Sequence, residues 1–269
     1  DHLDYHKTFK KYLKTKLKIF KKRRYAVINL ADENAKKFIK RSRNKITYSI
    51  KNPKADLNLK NTEIQNDKLV GEFTQLNLLA SVGTLIALGY EKKKIESLVS
   101  KIKNIRGRVE MIELGQNFKV IIDYAHTPDA FKKLYAAILP LKKNKIIHVF
   151  GATGARDKGK RPILAKIASR YADIIILTNE DPYHEKPERI IDEITIGIPK
   201  IFTDYKIIVD RKCAIESAIK LANKDDIVLI TGKGHEEIMA VSNGTKKGFK
   251  LVKFDEREVV KKAIENFKL

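Results

Sequence analysis

Short runs of Ile and Val, each bounded by turn residues, recur along the second half of the chain: FKVIID at 118–123, KIIHVF at 145–150, DIIILT at 173–178, KIIVD at 206–210 and DDIVLIT at 225–231. Their brevity and β-branched content favour strand over helix, because branching at Cβ suits a pleated, packed surface. Between them the apolar positions change to helical spacing. Ala130, Leu134, Ala137 and Ile138 share a face after Thr127-Pro128. Ile163, Ile167, Ala168 and Tyr171 do so after Pro162, Ile190, Ile191 and Ile194 after Pro187, and Ala214, Ile215, Ala218 and Ile219 after Arg211. Strand alternating with helix predicts crossover connections and an α/β fold with a mostly parallel sheet. Residues 237–254 read as a hairpin turning near Asn243-Gly244, followed by a closing helix from an Asp255 N-cap through Val259, Val260, Ala263 and Ile264.

The first part is patterned differently. Phe9, Tyr12, Leu13, Leu17, Ile19 and Phe20 stand on a lysine background over 7–23, which predicts an amphipathic helix. Strand-like YAVINL at 25–30, a helix through 43, strand-like ITYSI at 46–50, a polar stretch to 68 and helices over 74–89 and 92–103 follow. Arg106-Gly107-Arg108 marks a boundary, so domains are expected at 1–104 and 105–269. The uncharged run 73–90 approaches the length of a membrane span, but Thr74, Gln75, Asn77, Ser81 and Thr84 interrupt it, and a buried helix is the expectation.

Composition narrows the classes. With 269 residues and 43% apolar content the chain can build one large core or two ordinary ones. A single cysteine, Cys213, excludes an internal disulfide and suits a reducing cytoplasm. No signal peptide is legible and the first residue is Asp, so the sequence is expected to begin inside a longer chain. Fifty-six Lys and Arg against 33 Asp and Glu give a formal charge of +23, which would suit a nucleic-acid surface. The lysines are nevertheless spread through every helix without aromatic interleaving. They read as solvated surface with a local excess for phosphates, and neither a nucleic-acid nor a membrane partner is expected.

Four stretches carry candidate chemistry, each at the carboxyl end of an expected strand: DYAHTP at 123–128, GATGARDKGKRP at 151–162, EDP at 180–182 and TGKGHE at 231–236. Open α/β sheets gather ligands along that edge. GARDKGK followed by Arg161 comes close to a phosphate loop, but an arginine stands where the Mg²⁺-binding hydroxyl should be. It reads better as a cationic loop in which Arg156, Lys158, Lys160 and Arg161 hold a carboxylate or phosphate at a helix N-terminus. Asp123 with His126 could hold a ribose, a metal or a proton, or form a structural turn.

DHLDYH at 1–6, KYLKTKLKIF at 11–20, GEFTQLNLLA at 71–80, RGRVE at 106–110, DYAHTPDA at 123–130, RDKGKRP at 156–162, GKGHE at 232–236 and FDEREV at 254–259 fall, in this order, as in the Mur ligases of peptidoglycan synthesis. The chain resembles in particular the branch that adds the third residue of the stem peptide. The resemblance implies the later part of a central ATPase domain followed by a Rossmann-like C-terminal ligase domain. It also implies ATP and Mg²⁺ as cofactors, and a UDP-N-acetylmuramoyl dipeptide and a free amino acid as substrates. ATP would phosphorylate the D-glutamyl carboxylate and the amine would attack the acyl phosphate.

Carried over by position, the resemblance makes His2 a Mg²⁺ ligand and Lys16 a carbamylated lysine serving metal and catalysis. Asn77, Arg108 and Asp123 become ATP contacts, with Thr74 standing where a second asparagine is usual, and His126 joins the catalytic motif. Arg156, Asp181, Gly232 and Glu236 become contacts of the incoming amino acid. Two departures accompany it. Tyr183 replaces the arginine that diaminopimelate-adding members use, which favours lysine or another diamino acid, with Asp181, Glu185 or Glu236 meeting its ammonium groups. The UDP-binding domain and the Gly-Lys-Thr phosphate loop do not occur in this sequence, so the missing region is expected in the same chain or a partner, and the 269 residues alone are expected to be inactive. The alternatives are another amide ligase of the superfamily, of the folylpolyglutamate or cyanophycin synthetase type, or a noncatalytic polyanion-binding module.

Overall fold

The structure of the protein is a computed structural model and describes residues 3–20, 25–64, 66, 69–103 and 105–267. The chain divides into two compact units, Asp1–Lys103 and Asn104–Leu269.

The first unit runs α1 (Leu3–His6), α2 (Phe9–Ile19), β1 (Ala26–Asn29), α3 (Ala35–Arg41), β2 (Lys45–Tyr48), α4 (Glu72–Ala87) and α5 (Lys92–Val99). Strands β1 and β2 pair in parallel from Ala26 opposite Lys45 to Asn29 opposite Tyr48. Leu78, Leu79 and Val82 of α4 pack with Leu57, Ile64, Leu69, Ile95 and Val99 into the core of this unit. Gly83 lets α4 approach the strands closely, since a Cβ there would sit 3.0 Å from Val27 and 3.2 Å from Leu57. The uncharged run at 73–90 is thus a packed helix, and among the described residues no helix is long and apolar enough to cross a membrane. Helix α2 begins at the Thr8 cap, whose hydroxyl accepts from the Lys11 amide, but it buries none of its residues.

The second unit comprises β3 (Glu110–Ile112), β4 (Lys119–Asp123), α6 (Pro128–Ile138), β5 (Ile146–Phe150), α7 (Lys160–Ala168), β6 (Ile174–Leu177), α8 (Pro187–Thr195), β7 (Tyr205–Ile207), α9 (Arg211–Leu221), β8 (Ile227–Thr231), β9 (Ile238–Ser242), β10 (Phe249–Lys253) and α10 (Glu256–Phe267). Six strands form one sheet in the order β3-β4-β8-β5-β6-β7, all parallel except the antiparallel edge strand β3. Strands β5 and β8 are buried at every position, as expected of central strands covered on both faces. One core cluster joins Val120, Ile147, Ile176 and Val228 of the sheet to Ala214, Ala218 and Val260 of α9 and α10.

Helix starts follow capping chemistry. Thr127 accepts from the Ala130 amide ahead of Pro128, Asp210 from the Cys213 amide, and Asp255 from the Arg257 amide. The hairpin β9–β10 is antiparallel, as the pattern predicts, with Asn243-Gly244 inside its loop. Two details differ from the sequence reading. Helix α7 begins before Pro162, at Lys160, and it buries Leu164, Ala165, Ile167 and Ala168 while Ile163 is 46% exposed. Strand β3 is absent from the reading because three residues hold too little pattern to betray a strand.

Candidate active site at the strand ends

The loops after β4, β5, β6 and β8 all leave the carboxyl edge of the sheet, and their glycines allow them to touch. A Cβ on Gly154 would fall 2.1 Å from the Pro182 carbonyl oxygen, and one on Gly107 2.2 Å from the His235 amide. Gly232 has φ +114, and a Cβ there would fall 2.2 Å from Glu180 Oε2. These approaches bind the cationic loop to the EDP segment, the RGR segment to the GKGHE loop, and the GKGHE loop to Glu180.

Within this edge Lys233 is the hub. Its ammonium, 1% exposed, donates to both oxygens of Asp181 at 2.9 and 2.8 Å and to Glu236 at 2.6 Å. Burial alone would depress the Lys233 pKa, but hydrogen bonds to Asp181 and Glu236 outweigh it and the value is raised. Asp181 also accepts from the Ala240 amide at 2.8 Å, which ties β9 to the site. Glu236 takes a further hydrogen bond from the Tyr124 hydroxyl, whose pKa is pushed up to about 12 by burial and by the Glu236 charge. Asp181, Lys233 and Glu236 line a pocket of about 390 Å³ with Tyr183, Glu237, Ile238, Ala240 and Leu251. Three carboxylates against one ammonium make this pocket acidic in a chain of charge +23. Tyr183 itself is held at φ +51, with its amide on the Ala240 carbonyl and its ring against Phe249.

The cationic loop is not a uniform anion cradle. Arg161 is fully buried and donates to Glu185, Glu193 and the Thr153 carbonyl, while Lys158 pairs with Glu185 at 3.1 Å. Burial would raise the Glu185 pKa, but hydrogen bonds from Arg161, the Ala155 amide and Lys158 hold it at about 2. This corrects two expectations: Arg161 and Lys158 brace the loop, and Glu185 is committed to them and is not left for a substrate ammonium. Arg156 is exposed and makes no hydrogen bond or ion pair among the described residues.

Asp123 is 5% exposed, and its two oxygens accept from the Val109 and Ala125 amides at 2.8 and 2.7 Å. Desolvation raises its pKa, offset in part by those amides and by Arg108. Arg108 is exposed, with its guanidinium 4.8 Å from the Tyr124 ring centroid. His126 donates from Nδ1 to the Tyr124 carbonyl at 2.8 Å and stacks edge-on against Tyr124. Gly232, Asp123, His126, Arg108, Asp181, Glu236 and Arg156 therefore all belong to one unit and one sheet edge.

The remaining sequence candidates lie in the first unit. Lys16 is exposed on α2 with its ammonium 5.4 Å from the Tyr12 ring centroid. Asn77 is exposed on α4, and Thr74 is buried there with its hydroxyl on the Val70 carbonyl. His2 lies outside the described residues. Among the described residues no group of three or more His, Cys, Asp or Glu side chains is placed to hold a metal ion.

Several structural participants carry no motif signal of their own. Arg211 donates to Glu256, to the Asn179 carbonyl and to the Thr231 carbonyl, and Glu256 in turn accepts from the Gly234 amide. His148, fully buried, bridges the Tyr135 hydroxyl at 2.7 Å and the Thr231 hydroxyl at 2.9 Å beneath the GKGHE loop. Lys233 and Glu256 do lie inside the GKGHE and FDEREV matches, so their position could have been read there. Arg211 and His148 could not, since their partners are set by strand order.

Within the second unit, residues 107–234 match the Mur ligase, glutamate ligase domain, and residues 1–85 match the Mur ligase middle domain. A curated protein of Caldanaerobacter subterraneus subsp. tengcongensis, named UDP-N-acetylmuramoyl-L-alanyl-D-glutamate--2,6-diaminopimelate ligase, is 38% identical over 98% of this chain and 57% of its own length. The protein of the same name from Fusobacterium nucleatum is 39% identical over 100% of this chain and 58% of its own length. A solved structure of a ligase with that name superposes with a TM-score of 0.58 at 29% identity, covering 100% of this chain and 59% of that one. The chain thus spans a little under three fifths of the length of the relatives it matches. Two consecutive domain matches, relatives aligned along its whole length and a shared fold show that the chain belongs to the Mur ligase family.

Proposed function

We propose that this chain forms the second part of an ATP-dependent ligase that adds an amino acid to the D-glutamyl carboxylate of UDP-N-acetylmuramoyl-L-alanyl-D-glutamate, in the cytoplasm, during peptidoglycan synthesis. The observation that carries the reading is the meeting of four strand-end loops around Lys233, Asp181 and Glu236, in the segment that matches a ligase domain.

A carboxylate is a poor acyl donor because its leaving group would be oxide. Phosphorylation by ATP supplies a phosphate leaving group, and the amine then attacks the acyl carbon as phosphate departs with the bonding pair. The chain's own groups fit the second half of this sequence. Arg156 is a free cation at the loop edge for the carboxylate of the incoming amino acid. Glu236, on the rim beside Gly232, offers a carboxylate for an ammonium, and Lys233 holds it in place. Asp123 and Arg108 face the start of that edge and are assigned to ribose and phosphate, His126 to the same motif, and Asn77 to the adenine. Lys16 and His2 are assigned to catalysis and Mg²⁺ by resemblance.

The third residue is proposed to be lysine or another diamino acid. The acidic pocket under Tyr183 suits a side chain ending in an ammonium, whereas a second carboxylate would meet Asp181, Glu236 and Glu237. The relatives are named for diaminopimelate, so the point is testable. A ligation assay of the whole gene product with ATP, the UDP-muramoyl dipeptide and an amino-acid panel should release phosphate with lysine. Phosphate release with a folyl or aspartyl acceptor in place of the dipeptide would move the protein to another branch of the superfamily.

A further inference from the structure

Lys160 and Glu180 are two buried charges of opposite sign that do not meet. Lys160 is 8% exposed and Glu180 3%, yet among the described residues neither has an ion-pair partner. The Lys160 ammonium makes no hydrogen bond there, and among the described residues the only donor to the Glu180 carboxylate is the Thr153 hydroxyl, on Oε1 at 2.8 Å. Lys160 shares the buried face of α7 with Leu164, Ile167 and Ala168, at i, i+4, i+7 and i+8. Its side chain therefore leaves the first turn on the side that packs toward the sheet, over the carboxyl edge. Strand order sets the β5 loop, which leads into Lys160, between the β8 and β6 loops that carry Gly232 and Glu180. Glu180 is seated from two sides, since a Cβ on Gly232 would reach Oε2 within 2.2 Å and one on Gly151 would lie 3.0 Å from Glu180 Cβ.

The Lys160 ammonium and Glu180 Oε2 are not sealed atoms, so a small ligand can reach them; an ammonium drawn this far out of water without a counter-ion still loses part of its hydration. The other deeply placed cations of this edge, Arg161, Arg211 and Lys233, are matched by carboxylates, and Lys160 is not. Burial lowers its pKa, with the Glu180 charge opposing that shift from a distance. The unsatisfied amides of the α7 N-terminus reinforce the positive field. A ligand anion would supply the missing partner, and Glu180 would restrict it to a reactant that also presents a positive or donor group.

We infer that Lys160 is an oxyanion-binding residue of the ligation site, which receives, opposite Glu180, a charged oxygen of a reactant. The oxygen belongs either to the carboxylate of the incoming amino acid or to the phosphoryl group delivered by the nucleotide. This rests on the ligase reading above.

The test titrates the whole gene product with inorganic phosphate, ATP and L-lysine separately by calorimetry, comparing the natural protein with Lys160→Met and Lys160→Arg, each checked by circular dichroism. In parallel, acetylation of Lys160 by acetic anhydride is followed by mass spectrometry with and without each probe, which needs no variant to fold. Lys160→Met should weaken at least one probe about tenfold, the scale of one charge-assisted hydrogen bond, Lys160→Arg should recover most of it, and that probe should protect Lys160. Loss confined to phosphate and ATP identifies the phosphoryl source, and loss confined to lysine identifies the carboxylate. Binding of ATP and lysine that is indifferent to Lys160, without protection, overturns the inference and leaves the ligase reading standing. Lys160-dependent binding of phosphate alone does the reverse, and no binding or protection by any probe counts against both.

Discussion

Arg211 and Glu256 form an ion pair, 2% and 0% exposed, that fastens two loops of the site to the starts of two helices. The guanidinium reaches the carbonyls of Asn179 and Thr231, and the carboxylate takes the Gly234 amide at 3.0 Å. Truncating one partner leaves the other charged and buried, so Glu256→Ala should lose about 3–5 kcal/mol of folding stability. Urea unfolding measures this directly. A midpoint that stays where it was would mean that the guanidinium finds another partner.

His148 should confer an acid sensitivity. Burial, reinforced by the positive charge of Arg211, lowers its pKa to about 3, against 6.5 for an unconstrained histidine. Between those values the unfolded chain takes up a proton that the folded chain refuses. Stability is therefore full above pH 6.5 and falls as pH drops toward 3, by up to about 1.4 kcal/mol per pH unit. His148→Gln should remove that slope while the acid loss due to Glu185, between 4.5 and about 2, remains. Thermal melts across the pH range read both, and an unchanged slope in the variant would assign it elsewhere.

Gly232→Ala should be destabilised by about 1–3 kcal/mol, because φ +114 is strained for an L side chain. The new methyl would also lie against Glu180 Oε2. A double-mutant cycle separates the two effects: in a Glu180→Ala background the same substitution should cost less, because only the backbone strain remains. Equal costs in both backgrounds would place Glu180 away from Gly232.

Tyr183→Arg should shift amino-acid preference. The guanidinium would supply the cation that the Asp181, Glu236, Glu237 and Lys233 pocket lacks in excess. The ratio of kcat/KM for diaminopimelate to that for lysine is expected to rise about tenfold or more, the scale of a bidentate charged contact. An unaltered ratio in the whole gene product would mean that the pocket does not receive the amino-acid side chain.

The sheet was legible because Ile and Val mark its five parallel strands, and the strand ends located the motifs. Asp123, Gly232 and Glu236 stand where strand-end reasoning puts them. Arg161 and Lys158 show its limit: in sequence they are indistinguishable from Arg156 and Lys160, and only Glu185 and Glu193, brought up from α8 and the loop before it, separate bracing cations from available ones. The Lys233 cluster escaped for the same reason, since Asp181 is 52 residues away in sequence. On α7 the pattern places Ile167 and Ala168 correctly but picks Ile163 over Leu164, because adjacent apolar residues about 100° apart both fit a helical stripe and only packing decides between them.

Strand β8 is the last of the parallel strands in sequence but lies between β4 and β5 in space. As the chain emerges during synthesis, β4 and β5 have no partner in common until residues 227–231 are made and inserted. The central hydrogen-bond ladders thus depend on contacts more than 80 residues apart, such as Ile147 with Val228. Because the GKGHE loop follows directly on β8, the event that closes the sheet also carries Lys233 to Asp181. A chain that stops before residues 227–231 has neither the closed sheet nor the Lys233 cluster.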